Sequence, residues 1–119
     1  MEEQFISYQT ALLAKEKGLD LKSNYFREQE EGKPDFDDSC ENWNLYDGYC
    51  TIVTQSLLQK WLRDKHKIFL NSITGYDLGC RFQIYSEKEG VESELFTDMF
   101  ETYEDALEVG LREALKTIL

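Results

Sequence analysis

The chain has 119 residues, 41% hydrophobic and 13% aromatic, and its 24 acidic against 13 basic side chains give a net charge of −11. That length suits one domain over residues 1–119, burying roughly two-thirds of its unfolded surface, and the composition excludes a disordered chain. The acidity argues against nucleic acid or an anionic membrane as a partner. No run of about 18 apolar residues occurs, and Glu2 and Glu3 replace the positive start of a signal peptide, so a cytoplasmic location is expected. Three cysteines, without paired spacing, fit a reducing compartment and free thiols.

In chain order, residues 4–17 read as a first helix, with Phe5, Tyr8, Leu12 and Leu13 on one face and Gly18 placed to end it. A short strand is expected from about Asn24, near the aromatic pair Tyr25 and Phe26. Residues 29–41 read as an acidic surface loop. They hold the only proline, Pro34, and the carboxylates Asp35, Asp37 and Asp38. Beyond it, Trp43, Leu45, Tyr46 and Tyr49 cluster around an Asp47-Gly48 turn signal.

The stretch from 52 to 87 should nucleate the fold. Thr54 is a suitable N-cap, and Val53 and Leu58 have the spacing of a hydrophobic staple. Leu57, Leu58, Trp61 and Leu62 give one apolar stripe, and Lys65, His66 and Lys67 suit the negative end of the helix dipole. The period then falls to 2, predicting a hairpin of residues 68–74 and 80–86 with Phe82 and Ile84 on its covered face. After a turn at 87–90, Leu95, Phe96, Met99 and Phe100 return the chain as a third strand or an apolar crossing. The last helix starts at the cap Thr102. Its stripe comprises Tyr103, Ala106, Leu107, Leu111, Ala114, Leu115 and Ile118. Gly110, between Ala106 and Ala114, should let its backbone approach a neighbour closely. The predicted class is α+β: a small antiparallel sheet of about three strands with three helices packed on one face.

No chemical motif emerges. A zinc site would need Cys40, Cys50, Cys80 and His66, which lack knuckle spacing. The commoner role for Cys80 is burial in the hairpin, with Cys40 and Cys50 as partly exposed thiols. The only histidine, His66, is better read as a helix-terminal cap than as a base for a cysteine nucleophile. Asp35, Asp37 and Ser39 alternate as in a calcium loop, but Cys40 stands where glycine is required and Tyr46 where glutamate is. Carboxylates for acid–base work are too abundant to be specific. No dinucleotide, phosphate-loop or nucleophile-elbow pattern is present, and no cofactor or metal is expected. Lys60, Arg63, Lys65 and Lys67 beside Trp61 form a basic cluster that could touch a phosphate backbone. In so acidic a chain it reads more simply as a solvated helix face.

Three blocks carry a resemblance: Ala11 to Gly18, Thr54 to Arg63, and Thr102 to Glu108 with Gly110, Leu111, Glu113, Ala114 and Leu115. Together they cover about half the chain, which in them resembles a family of short uncharacterised proteins from phages and mobile elements of gut Bacteroidetes. The resemblance implies a bacterial or phage intracellular setting and no assigned activity. The expected function is therefore that of a non-enzymatic accessory or interaction protein with an unknown protein partner, oligomer formation being left open. Its candidate contact residues are Asp35, Asp37, Asp38, Trp43, Tyr46 and Tyr49, although such rings are more often core than surface. The alternatives are an acidic DNA mimic that blocks a nucleic-acid-binding protein, and a small carboxylate-based enzyme or ligand-binding domain.

Overall fold

A computed structural model describes residues 4–28, 33–75, 79–88 and 90–118. The chain divides into two compact units, Met1–Thr54 and Gln55–Leu119. Among the described residues it forms helices α1 (Tyr8–Glu16), α2 (Gln55–His66) and α3 (Tyr103–Lys116), and a 3₁₀ turn at Trp43–Leu45. The strands are β1 (Ser23–Arg27), β2 (Asp35–Glu41), β3 (Cys50–Ile52), β4 (Ile68–Gly75), β5 (Gly79–Lys88) and β6 (Val91–Phe96). The α+β class holds, but the strands make two antiparallel three-stranded sheets, β2-β1-β3 and β4-β5-β6, where one was expected.

In the first unit, α1 starts later than its sequence pattern suggests because Ser7 caps it, accepting from the Thr10 amide at 3.2 Å. The residues before the cap are extended: Phe5 bridges Thr54, and the Ile6 amide donates to the Val53 carbonyl. The buried face of α1 is Thr10, Ala11 and Ala14, not the expected row through Phe5 and Leu12, both exposed. Small side chains suit its packing against β3. Gly18 ends the helix as expected. It has φ +89°, and the Leu19 amide reaches back to the Ala14 carbonyl while that of Gly18 reaches Lys15, the paired bonds of a Schellman stop.

The expected loop at 29–41 needs correction from Asp35 onward, where the chain forms strand β2 at a sheet edge; residues 29–32 lie outside the described residues. Six of its seven residues are exposed, so no apolar alternation marked it as a strand.

The second unit follows the sequence pattern closely. Helix α2 buries Leu58, Trp61 and Leu62; Leu57, expected among them, is exposed, and Gln55 is buried instead, donating to the Glu104 carbonyl and the Glu108 carboxylate. Lys67, directly after the helix, has φ 56°, a left-handed conformation that costs a non-glycine residue about 1–2 kcal/mol. Strands β4 and β5 pair from Ile68↔Ser86 to Gly75↔Gly79, so that Ile68, Leu70, Phe82 and Ile84 share the buried face. Gly79 is required twice over. Its φ is +85°, and a Cβ there would collide with the Phe100 carbonyl. Strand β6 lies earlier than expected and is exposed throughout, while Thr97 and Phe100 continue along β5 through hydrogen bonds to Phe82 and Cys80.

Helix α3 has the Thr102 cap, whose hydroxyl accepts from the Asp105 amide, and the expected buried stripe, save that Tyr103 is exposed. It packs on β4 and β5, and α2 packs on β4 and α3. The small-residue row serves the approach to the sheet: a Cβ on Gly110 would lie 3.1 Å from Leu70 Cδ2 and 3.3 Å from Phe82 Cβ. Leu70 can yield there, but Phe82 Cβ is fixed by the strand. Replacing Gly110 with valine is expected to cost about 2–3 kcal/mol through overpacking, read as a lower urea midpoint. An unchanged midpoint would show that the helix rides higher on the sheet.

Candidate functional site

The candidate contact residues all lie in the first unit, and its sheet register sorts them. Phe26 stands opposite Asp35 and Thr51, and Tyr25 opposite Phe36 and Ile52, so alternate residues face opposite sides. On the Phe26 side the rings of Trp43 and Tyr49 lie 4.4 and 5.3 Å from Phe26, and Tyr46 lies 6.0 Å from Trp43. On the other side Phe5, Tyr25 and Phe36 form a row with centroids 4.7 and 5.3 Å apart.

Between Tyr25↔Phe36 and Ser23↔Glu41 the register jumps, so that only Asn24 faces the four residues Asp37, Asp38, Ser39 and Cys40. This wide bulge is pinned by its neighbour. The Asn24 amide donates to the carbonyls of Asp37 and Asp38 at 3.0 and 3.2 Å, and the Ser39 amide donates to the Asp37 carboxylate at 2.8 Å. All four bulged side chains are exposed.

The six expected residues therefore part company. Asp35, Asp37 and Asp38 are exposed; Asp35 adjoins the aromatic group through Phe26, while Asp37 and Asp38 ride on the bulge. Trp43 is 9% exposed and donates Nε1–H to the Ser23 carbonyl at 2.7 Å, so it supports the site from beneath instead of offering a contact. Tyr49 is half-buried. Tyr46 is 46% exposed and donates its hydroxyl to Glu41 Oε1 at 2.8 Å, and that carboxylate pushes the phenol pKa above its usual value. Sequence reasoning missed Phe36 and Leu45, 60% and 79% exposed. The apolar residue between Asp35 and Asp37 was the available signal, hidden by reading the stretch as loop.

Asn44 holds the 3₁₀ turn in place. Its side-chain carbonyl accepts from the Thr51 amide at 2.9 Å, the Thr51 hydroxyl accepts from the Asn44 amide, and its NH₂ donates to the Leu19 carbonyl at 3.0 Å. Lys15 adds a clamp from α1, donating to the carbonyls of Tyr46 and Tyr49 at 3.1 and 2.8 Å. Cys50, expected to be partly exposed, is buried, and burial raises its thiol pKa although the Lys15 ammonium opposes this. Cys40 is exposed and Cys80 buried. Among the described residues no three His, Cys, Asp or Glu side chains converge as metal ligands would, and no helix is long and apolar enough to cross a membrane.

Comparison with protein families, curated proteins and solved structures finds no match to this chain.

Truncating Asn44 to alanine should cost about 2–3 kcal/mol, because it strands the Thr51 amide and the Leu19 carbonyl, and should be visible as an earlier urea transition. The thiol sets a pH dependence. A group with a folded pKa above its unfolded value contributes stability below the unfolded value and loses it as pH rises through the folded one. The melting temperature is therefore expected to fall from about pH 8.5 upward. The early part of that fall should flatten in Cys50→Ala; an identical profile in the variant would remove the thiol from the account.

Proposed function

We propose that the protein works by contact, as a non-enzymatic accessory protein of phage or mobile-element type acting in the cytoplasm. Its partner is a protein with a basic surface. The observation that carries this reading is the company kept by the exposed apolar side chains of the first unit. Phe36, on the sheet face of Phe5 and Tyr25, is exposed in β2 with Asp35 and Asp37 its neighbours in sequence and Asp38 on the adjoining bulge; Leu45 and Tyr46 are a separate exposed pair on the turn that Asn44 anchors, Tyr46 beside Trp43 on the opposite face. Isolated exposed apolar residues need no explanation, but large ones flanked by carboxylates have the composition of a recognition patch: anchors that lose water on contact and charges that select and steer the partner.

The acidic DNA-mimic alternative is a special case, in which the basic partner surface is one that otherwise holds a phosphate backbone. The spacing of Asp35, Asp37 and Asp38 along one exposed strand favours that class of partner over a neutral one.

Parallel affinity capture from host lysate, with the parent chain and with a variant carrying Phe36→Ser, Asp35→Lys and Asp38→Lys, tests the reading. The parent should retain a specific basic protein. The variant, altered only at exposed positions, should keep its fold and lose that protein by roughly thirtyfold or more in affinity. Equal recovery by both would sink the assignment of the patch.

A further inference from the structure

A second feature, independent of that patch, lies in the second unit. Where α2 and α3 end there is a cleft of about 290 Å³ whose apolar part comes from the buried side chains of Ile68 and Ile118. Lys65, His66 and Lys67 line it from the end of α2, and Ser86 and Glu87 from β5. Glu87 is the opposing charge. The Thr117 hydroxyl is already committed to the Ala114 carbonyl at 2.6 Å. Two lysines, a histidine and a serine thus line the cleft beside one glutamate, in a chain whose net charge is −11.

Cations at a helix C-terminus are ordinarily explained by the dipole, and for Lys65 and His66 that is sufficient. It accounts for the charge of Lys67 but not for a non-glycine residue in the left-handed conformation there. The backbone amide of Lys67 already serves the helix end by donating to the Arg63 carbonyl at 3.2 Å, and at φ 56° glycine would do the same without strain. A lysine held there against its conformational preference points to a use for the side chain. Lys67 is among the residues lining the cleft, beside Lys65.

We infer that this cleft binds a small phosphate-type oxyanion, with Lys65 and Lys67 as its charge partners and Ser86 as a hydroxyl donor. Lysine suits this as a mobile point charge, and His66 adds a third donor when protonated. The volume is at the lower limit of ligand pockets, right for a phosphate group with a few attached atoms and too small for a polymer. Lys60 and Arg63, the other half of the basic cluster, do not line the cleft; Arg63 lies 3.7 Å from Asp64.

An amide chemical-shift titration of the full chain with inorganic phosphate, at fixed pH and ionic strength with chloride as control, tests this. Saturable shifts should be confined to residues 65–68, 86–87 and 117–118. Tighter binding of glycerol phosphate would identify a phosphomonoester as the ligand class, and equal binding the free anion. Lys67→Gly should weaken binding roughly tenfold while melting no earlier than the parent, which separates binding from folding. Lys65→Gln, a change to an exposed side chain, should weaken binding similarly and keeps the test decisive if the first variant unfolds. Shifts that follow chloride as closely as phosphate, or unchanged affinity in the variants, would overturn the assignment.

Discussion

A backbone amide or carbonyl that leaves water must find a partner, and the two units meet that requirement by different means. In the second, β4, β5 and β6 satisfy one another along regular ladders, and the helices need only lie on the covered face. In the first, the strands are short and broken by a bulge, so side chains take over. Asn44 serves Thr51 and Leu19, Ser23 donates to the Ile52 carbonyl at 2.6 Å, Trp43 serves Ser23, and Lys15 serves Tyr46 and Tyr49. Of the rings in the candidate site, Trp43, Tyr46 and Tyr49 are held by these polar contacts.

That difference explains which parts were legible in the sequence. Periodicity reveals an element only when burial differs between its faces. Helix α3 and the β4–β5 hairpin obey this, and their stripes and register were readable from Leu107, Leu111, Leu115, Phe82 and Ile84. Strand β2 is exposed on both faces, and in β3 all three residues are buried; neither alternates, and neither was foreseen. Helix α1 misled for another reason: its contact face is made of Thr10, Ala11 and Ala14, while its larger apolar residue Leu12 is exposed. A hydrophobicity pattern weights residues by size, whereas close helix packing selects small ones.

The candidate site was half legible on the same grounds. Composition pointed to surface carboxylates and rings, and Asp35, Asp37, Asp38 and Tyr46 are exposed while Tyr49 is half-buried. It could not tell that Trp43 would turn inward, because that depends on the Ser23 carbonyl twenty residues away being open to its indole. Nor could it find the bulge, since Asn24 gives no sign in sequence of facing four residues at once.

The acidic edge strand has a plainer role to set against recognition. Charges and bulges both discourage an exposed strand from pairing with another chain; β6 has Glu92 and Glu94 at its own sheet edge, but it too exposes apolar side chains, those of Val91, Leu95 and Phe96. For β2 the guard explains Asp35, Asp37, Asp38 and the bulge at Asn24. It does not explain Phe36 at 60% exposure, or Leu45 at 79% on the neighbouring turn. An edge protected only against association gains nothing from apolar side chains facing water, because these raise the tendency to associate that the charges lower. Charge that repels most neighbours beside apolar area that rewards one is the combination a selective contact requires.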